Sequence, residues 1–469
     1  MSQQKPKRKG SQIHKPPRGF KKKFLWLGPG VVWLAAGAGG AGELLFPPRV
    51  GSLYGYLFLW ALILAVTFKW VINREIGRYA VNSGGSLIDG FTSLPGPRNW
   101  AIWLIIIPQL VVSVAAIAGL ASAAATAVIL FLPGSLLFWS GVILGSVALF
   151  LLLGKYALLE DVATVLAIIL AMVGITAALW VFPDPADLVE GLLPRLPSDV
   201  DYQEIVPWLS FIMAGAAGML WYSYWLPAKG YGAAGQFKKT GILRKQEQYT
   251  EEDVSRLRGW VNEMTIDNTL GVLGGTLIVT AFLILGAEVL RPEGVVPEER
   301  RVAEVLGKLL GNTWGRWGFW FMVIGVLVGF YNTTLTNTDG WSRLLGNGTH
   351  ILLKSFGFKE SAWLNAQGLR KIFILFVAGG AFGLFAWVGR PVILLQIAGI
   401  IEAFQIPLLG FLALYMNHAL MPKGLRPTMT MTAVAIVSSL FYLFFACFFV
   451  LSKLGVVGNG GAQIDSYAS

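Results

Sequence analysis

The sequence predicts an all-α integral membrane protein of about eleven transmembrane helices. Of its 469 residues, 55% are hydrophobic and only 13% are charged, and the mean hydropathy is +0.63. A soluble domain cannot hide so much apolar surface behind so few charges. Runs of roughly 20 apolar residues, the length that crosses a bilayer core, recur along the chain. The 56 glycines and 18 tryptophans fit close helix packing and anchoring at the lipid–water boundary.

The apolar runs also set the predicted domain organisation. A basic tail of residues 1–23 precedes a transmembrane domain of residues 24–452, and a second tail covers residues 453–469. Two five-helix repeats are predicted, at 25–182 and 206–416, followed by an eleventh helix at 428–452. The predicted spans, numbered one to eleven, are 25–50, 55–80, 100–132, 135–155, 160–182, 206–227, 262–290, 315–340, 370–388, 391–416 and 428–452.

The charges predict the orientation. The net charge is +11, and residues 1–23 carry nine Lys or Arg with no acid before Glu43. Because basic segments stay on the cytoplasmic side, we expect a cytoplasmic N-terminus and an extracytoplasmic C-terminus in the cell (inner) membrane. The basic loop 228–260 and the acidic loop 183–205 agree with this orientation. An anionic-lipid or RNA-binding role of the tail is the alternative, but plain topology is favoured and no nucleic-acid partner is expected.

Spans one and six share a glycine-rich pattern that predicts broken helices. Span one contains the run Gly37–Gly42, and span six contains Ala214–Gly218, each a few residues after a tryptophan. Glycine costs about 1 kcal/mol against alanine inside a helix, so such clusters mark places where a helix can break. Breaks at matching positions of two halves are typical of inverted-repeat transporters that bind their substrate there. Tight helix packing is the alternative explanation.

Two carboxylates lie in predicted spans, where an acid is expensive unless it faces a cavity or a partner. Glu43 follows the first glycine run; its alternative role is a first-turn acid paired with Arg49. Glu402 shares one face of span ten with Gln405. Together with backbone oxygens at the breaks, these side chains predict an oxygen-rich cation site. The backbone positions assigned to this site are Gly39, Gly40 and Ala216.

Other side chains near the breaks are candidates for the same site. Met219 offers a soft sulfur for a transition metal, although a lone methionine is usually packing; the predicted metal ligands are therefore Glu43, Met219 and Glu402. Trp221 and Tyr222 are interpreted either as a cage for an organic cation or as an interfacial aromatic belt. The remaining predicted cavity-lining residues are Gln396 and Asn337. The polar segment 332–339 of span eight lines an inner vestibule or forms the cytoplasmic end of the helix.

The sequence shows no catalytic constellation. His14, His350 and His418 fall in the tail or in loops, and Cys447 is the only cysteine, so neither a disulfide nor a thiolate metal cluster is expected. We expect a protein that is not an enzyme and has no cofactor other than a transported metal cation. Its expected partners are that cation and the lipid bilayer, and it is expected to be a monomer.

Several segments resemble the natural resistance-associated macrophage protein (Nramp) family of proton-coupled metal transporters. They are the glycine-rich first span, Gly55–Trp60, Ile266–Thr269 and Phe404–Pro407. The resemblance covers spans one to eleven in order. It implies a LeuT/APC-like fold of two inverted five-helix repeats with broken helices one and six.

The functional motifs of the family are altered. Its Asp-Pro-Gly-Asn falls on Gly40–Glu43, so that the ligand aspartate is glycine and the ligand asparagine is Glu43. Its Met-Pro-His falls on Met219–Trp221, which keeps the methionine only. Its third-span acids fall on Gly119 and Ser122, and its tenth-span glutamine falls near Gly399.

The altered motifs imply a cationic site with moved ligands and argue against the family's usual proton route. We expect a secondary transporter of metal cations, a divalent transition metal such as iron or manganese, or magnesium, working by alternating access. A transporter of a small organic solute on the same fold, and a non-transporting membrane receptor or scaffold, remain alternatives.

Overall fold

A computed structural model describes residues 13–30, 40–154, 157–196, 200–235, 249–359 and 361–454, without the side chains of residues 157–164. The described residues form helices and their connections, with no strand among them. The predicted all-α class is therefore confirmed. Residues 1–12, most of the basic tail, and residues 455–469, most of the C-terminal tail, lie outside the described residues.

The helices follow the predicted order. Span one ends with a π-helical turn, Ala41–Leu45, that continues as the helix Phe46–Tyr54, and residues 31–39 lie outside the described residues. Span six consists of two helices, Tyr202–Phe211 and Ala216–Lys229. The other spans, two to five and seven to eleven, are Leu59–Ser83, Trp100–Val128, Leu136–Leu153, Ala157–Trp180, Glu251–Leu285, Val302–Ser355, Ala366–Val388, Pro391–Ala419 and Met429–Lys453.

Eight of these helical segments are long and apolar enough to cross a membrane: spans three, four and six to eleven. Span five becomes the ninth if it is taken with the short helix Pro185–Gly191, which is bent from it by 113°. Span two has the length but carries Lys69, Arg74, Glu75 and Arg78. The protein is a multi-pass membrane protein.

Two predicted boundaries are wrong. Span seven begins at Glu251, eleven residues before the predicted start, because Thr250 and Asp253 form a capping box ahead of it. Span eight runs on to Ser355, so the polar segment 332–339 lies inside a helix rather than at its cytoplasmic end. A kink at Trp314 and Gly315, where Gly315 has φ of 67°, separates the longer part of span eight from a preceding helical segment that starts at Val302.

Part of the predicted basic tail is packed against the membrane domain. The Trp260 Nε1 donates to the His14 carbonyl oxygen at 2.9 Å, and the Lys23 ammonium lies 2.6 Å from the Glu263 carboxylate. A short helix, Phe20–Trp26, leads from this contact toward span one. The segment from residue 13 onward is therefore docked on span seven.

A buried ion pair joins the helix Phe46–Tyr54 of span one to the first helix of span six. The Arg49 guanidinium donates to both Glu204 carboxylate oxygens at 2.6 Å and to the Pro297 carbonyl oxygen at 2.6 Å. Both side chains are buried. The guanidinium is therefore engaged with Glu204 rather than with Glu43, so the alternative pairing of Glu43 with Arg49 does not occur.

A glycine lets span one touch the end of the first helix of span six. A Cβ added at Gly42 would lie 2.2 Å from the Phe211 carbonyl oxygen, far inside van der Waals contact. The backbones of spans one and six therefore meet directly, and only a residue without a side chain fits between them.

We predict that Arg49→Met lowers the free energy of unfolding by about 3 kcal/mol or more, because it leaves the Glu204 carboxylate buried without its counter-charge. Chemical denaturation in detergent micelles measures the effect. The matched control, Arg195→Met, removes a pair whose side chains are 51% and 64% exposed and should cost less than about 1 kcal/mol. Equal losses of unfolding free energy in the two variants would contradict the assignment of Arg49 and Glu204 as a stabilising buried ion pair.

We predict that Gly42→Ala disrupts the junction of spans one and six, because backbone atoms cannot yield to the added methyl group. The expected result is a melting temperature lowered by several degrees, read by thermal unfolding. The control is Gly145→Ala, since a Cβ at Gly145 meets nothing within 4 Å. A Gly42→Ala protein as stable as the Gly145→Ala protein would count against this packing.

Candidate functional site

Span six is broken where its two helices would otherwise join. The first helix ends at Phe211, and the second begins at Ala216. Between them Met213 and Ala214 have φ of 63° and 86°, a region that residues with a side chain rarely adopt. Such strain, roughly 1–3 kcal/mol per residue, persists only where the surroundings hold the backbone, and it clusters at functional sites. The predicted break in span six is present.

A buried lysine from span two holds this break. The Lys69 ammonium donates to the carbonyl oxygens of Ser210 at 2.5 Å and Ala214 at 2.8 Å, and to that of Ile212. Its side chain is fully buried. The carbonyls at the end of a helix have no partner within it and carry partial negative charge. The ammonium has three donors, and the three carbonyls use all of them.

The sequence analysis missed Lys69. The signal was present, because a lysine within an apolar span is rare and is functional by default. Its position close to the other charges of span two obscured that signal.

Glu43 reaches the same break from span one. It lies in the π-helical turn that follows the extended Gly40, and its side chain is buried. One carboxylate oxygen accepts a hydrogen bond from the Met213 backbone amide at 3.0 Å. π-Helical turns occur frequently at functional sites because they redirect a side chain within a helix. Glu43 is thereby fixed beside the strained backbone of span six.

Glu402 approaches the break from span ten. Its carboxylate accepts from the Ala217 amide at 3.2 Å, in the first turn of the second helix of span six. The other oxygen accepts from the Gln109 side-chain amide at 3.1 Å. Gln109, in span three, also donates to Gln405 and accepts from the Trp341 indole at 2.6 Å. This glutamine joins spans three, eight and ten, and the sequence analysis did not single it out.

A cavity opens between these groups, with a volume of about 630 Å³ including its mouth. Of the predicted residues, it is lined by Gly40, Glu43, Glu402, Trp221 and Asn337. Its walls are otherwise mainly apolar and aromatic. They include Ala116, Leu120, Phe211, Gly215, Trp225, Thr333, Trp341 and Leu395.

The remaining predicted residues lie elsewhere. Met219 and Tyr222 are fully buried in the second helix of span six and do not line this cavity. Gln396 faces Gln203, at 3.5 Å, and Gln405 donates to the Ile105 carbonyl oxygen of span three at 3.2 Å. Ala216 is buried at the start of its helix.

Gly39 lies outside the described residues. Within the part of the chain that the structure describes, no three His, Cys, Asp or Glu side chains group closely enough to hold a metal ion. A cation in this cavity would therefore need backbone and amide oxygens beside the carboxylates.

The site contains side chains that carry negative charge and one that carries positive charge. Lys69 interacts electrostatically with both Glu43 and Glu402. Two carboxylates and one ammonium leave a net charge of −1 when all three are ionised. In that state the net negative charge attracts a cation, whereas the Lys69 ammonium by itself repels one.

Comparison with known proteins identifies the family. The profile described as natural resistance-associated macrophage protein-like matches residues 32–452. The chain belongs to the Nramp family. An uncharacterised Pasteurella multocida relative of this Nramp protein is 25% identical over 374 residues, covering 77% of this chain and 79% of the relative. The Mycobacterium leprae divalent metal cation transporter MntH is 32% identical over 151 residues, which are 31% of this chain and 34% of MntH.

Solved structures confirm the fold of this Nramp protein. The Eremococcus coleocola manganese transporter, in complex with an aromatic bis-isothiourea compound, has a TM-score of 0.67 at 14% identity. The match covers 97% of this chain and 92% of that one. Mhp1, a nucleobase-cation-symport-1 family transporter, has a TM-score of 0.52 at 11% identity, with 94% and 95% of the two chains covered. The LeuT-like fold is therefore confirmed.

We predict that Lys69→Ala destabilises the protein by about 3 kcal/mol or more, because three buried carbonyls lose a charged donor. Methylammonium, which matches the lost head group, should restore part of the loss, whereas the bulkier tetramethylammonium, which has no N–H donor, should not. Thermal unfolding at constant ionic strength measures both effects.

The control for this prediction is Lys229→Ala. Its ammonium also donates to a carbonyl oxygen, that of Leu27 at 3.1 Å, but in an exposed position. It should therefore show little loss and no response to methylammonium. If Lys69→Ala unfolds at the temperature of the parent protein, the ammonium does not hold the break.

Proposed function

We propose that this Nramp protein is a secondary transporter of divalent metal cations that works by alternating access. The observation that carries the proposal is the pair of buried carboxylates, Glu43 and Glu402, which line one cavity and each bind a backbone amide at the span-six break. Ionisable groups within membrane spans mark ion pathways. The relatives named as manganese and divalent metal cation transporters support the same cargo class.

The atoms available to bind a cation in this cavity are mainly oxygens, which favours a metal ion that prefers oxygen ligands. Carboxylates, the Asn337 amide and backbone oxygens near Gly40 suit Mg²⁺ or Mn²⁺. Met219 would reach the same ion only if the second helix of span six turned, because its side chain is buried away from the cavity. We therefore propose Glu43 and Glu402 as ligands in this conformation, with Met219 joining in another.

Lys69 couples the binding of the transported cation to movement of the two helices of span six. An entering divalent cation adds two positive charges beside the buried ammonium, and the repulsion acts in a medium of low dielectric. Occupation of the cavity therefore weakens the contacts of Lys69 with the carbonyls of span six. The two helices of span six are then released to move separately, since the first packs mainly on span ten and the second mainly on span two.

The proposed orientation follows the charge pattern. The basic segment that precedes span seven would lie in the cytoplasm together with the N-terminus, and the C-terminus would lie outside. Eleven spans place the two termini on opposite sides.

A small organic cation is the second candidate cargo. The same cavity is lined by Phe211, Trp221, Trp225 and Trp341, and the rings of Trp221 and Trp341 meet edge to face at 5.2 Å. Aromatic faces bind organic cations by cation–π attraction. Tyr222 does not contribute to this lining. Two buried carboxylates that line a cavity at the span-six break favour a transporter over a receptor or scaffold.

We predict that Glu43→Gln and Glu402→Gln each reduce Mn²⁺ uptake into proteoliposomes at least tenfold, because each removes a negative charge worth more than about 1.4 kcal/mol to a bound cation. Glu288→Gln is the matched control, since Glu288 accepts a hydrogen bond from Tyr56 and does not line this cavity. It should transport at the parental rate.

Two results would contradict the proposal. One is the absence of uptake for Mn²⁺, Fe²⁺ and Mg²⁺ alike; the other is parental uptake in both glutamine variants. Uptake of tetramethylammonium without any metal would assign the cavity to an organic cation instead.

A further inference from the structure

A second cavity, remote from the first, lies between spans two and seven and the segment before span eleven. It has a volume of about 520 Å³ including its mouth. Polar and basic side chains dominate its lining, which is Arg74, Arg78, Arg258, Val261, Asn262, Thr265 and Leu425. The transport proposal uses none of these residues.

The cavity has an excess of positive charge. Its three guanidinium groups are balanced by one carboxylate, Glu75, which lies 2.7 Å from the Arg74 guanidinium and 2.9 Å from that of Arg78. Arg258 donates to a neutral acceptor, the Gly424 carbonyl oxygen, at 2.7 Å. Two positive charges therefore remain for an anion to neutralise.

One donor in this cluster is buried without an acceptor. The Arg74 Nε has no hydrogen-bond partner among the described residues, although the atom is shielded from solvent. A buried donor left unpaired costs roughly 1–3 kcal/mol. The adjacent Trp70 ring, 6.0 Å from the guanidinium carbon, helps to fix the side chain in place. The Arg74 guanidinium is thus held at the cavity wall with part of its donor capacity unused.

The apolar surfaces beside the cavity face lipid. Along span seven, Ile266, Leu270, Leu273 and Leu277 are 37–62% exposed at helical spacing. Asn262 and Arg258 continue this exposed stripe, one and two turns before Ile266. The cavity thus lies where the lipid-facing stripe ends, which is the level of the phosphate groups in a bilayer.

Span two repeats this arrangement. Ile63 and Thr67 are exposed on it, and Arg74 lies two turns after Thr67 on the same side. Both walls of the cavity therefore pass from apolar lipid-facing surface to basic side chains at one level.

We propose that this cavity binds the phosphate headgroup of an anionic phospholipid. Arginine recognises phosphate by paired, charge-assisted hydrogen bonds, and basic pockets between spans at the cytoplasmic side suit anionic headgroups. The bordering apolar stripes accommodate the acyl chains, which a free phosphate ion lacks. The proposal does not depend on the identity of the cargo.

The test is native mass spectrometry of the full-length protein in detergent, titrated separately with phosphatidylglycerol, phosphatidylcholine and inorganic phosphate. Asn262→Asp adds a negative charge at an exposed position of the cavity wall, and Arg258→Met removes a positive one. Each should weaken phosphatidylglycerol binding about fivefold, the effect of about 1 kcal/mol per charge at a membrane surface.

The matched control is Lys371→Ala, an exposed residue near the same end of the bundle, at the start of span nine and outside the cavity lining. It changes the net charge by the same amount as Asn262→Asp and should leave phosphatidylglycerol binding unchanged. Equal binding of phosphatidylglycerol and phosphatidylcholine by the parent protein would overturn the proposal. So would an equal loss in Lys371→Ala, or binding of inorganic phosphate as tight as that of the lipid.

Discussion

The hydrogen bonds that the buried Lys69 ammonium donates to the broken end of span six are the contacts on which the rest of this protein depends. A helix that stops inside a membrane leaves carbonyl oxygens that neither water nor lipid can satisfy. Here the Lys69 side chain, which extends from span two, donates hydrogen bonds to three of these oxygens. The break can therefore exist without a bound ion. The strained backbone at Met213 and Ala214 is held from one side by this ammonium and from the other by the Glu43 carboxylate.

The charges that stabilise the break also define what the cavity can accept. Glu43 accepts from a backbone amide within the break, and Glu402 accepts from one in the first turn after it, so that each carboxylate is attached to span six by a hydrogen bond that movement of the span would alter. Gln109 couples Glu402 to span eight through the Trp341 indole. A cation that draws the carboxylates toward itself would thus act on spans one, three, six, eight and ten together.

The sequence was sufficient for the fold but only in part for the site. Hydropathy located most spans, and the glycine runs located the break in span six, because both signals are local. Gln109 and Met219 show the limit of such signals. Gln109 acquires its importance from partners nearly 300 positions away, and the orientation of Met219 depends on where the second helix of span six starts. The predicted end of span eight was also too early, because polar residues continue inside this helix. Their burial against other spans is a tertiary property that local sequence patterns do not show.

If the transported cation and Lys69 compete electrostatically at the span-six break, the two cannot keep their positions together. An experimental structure of the protein with Mn²⁺ bound in the cavity between Glu43 and Glu402 tests this competition. We expect the Lys69 ammonium to have moved out of hydrogen-bond distance of the Ser210 and Ala214 carbonyl oxygens. A bound Mn²⁺ with both of those hydrogen bonds still at their lengths of 2.5 and 2.8 Å would contradict it.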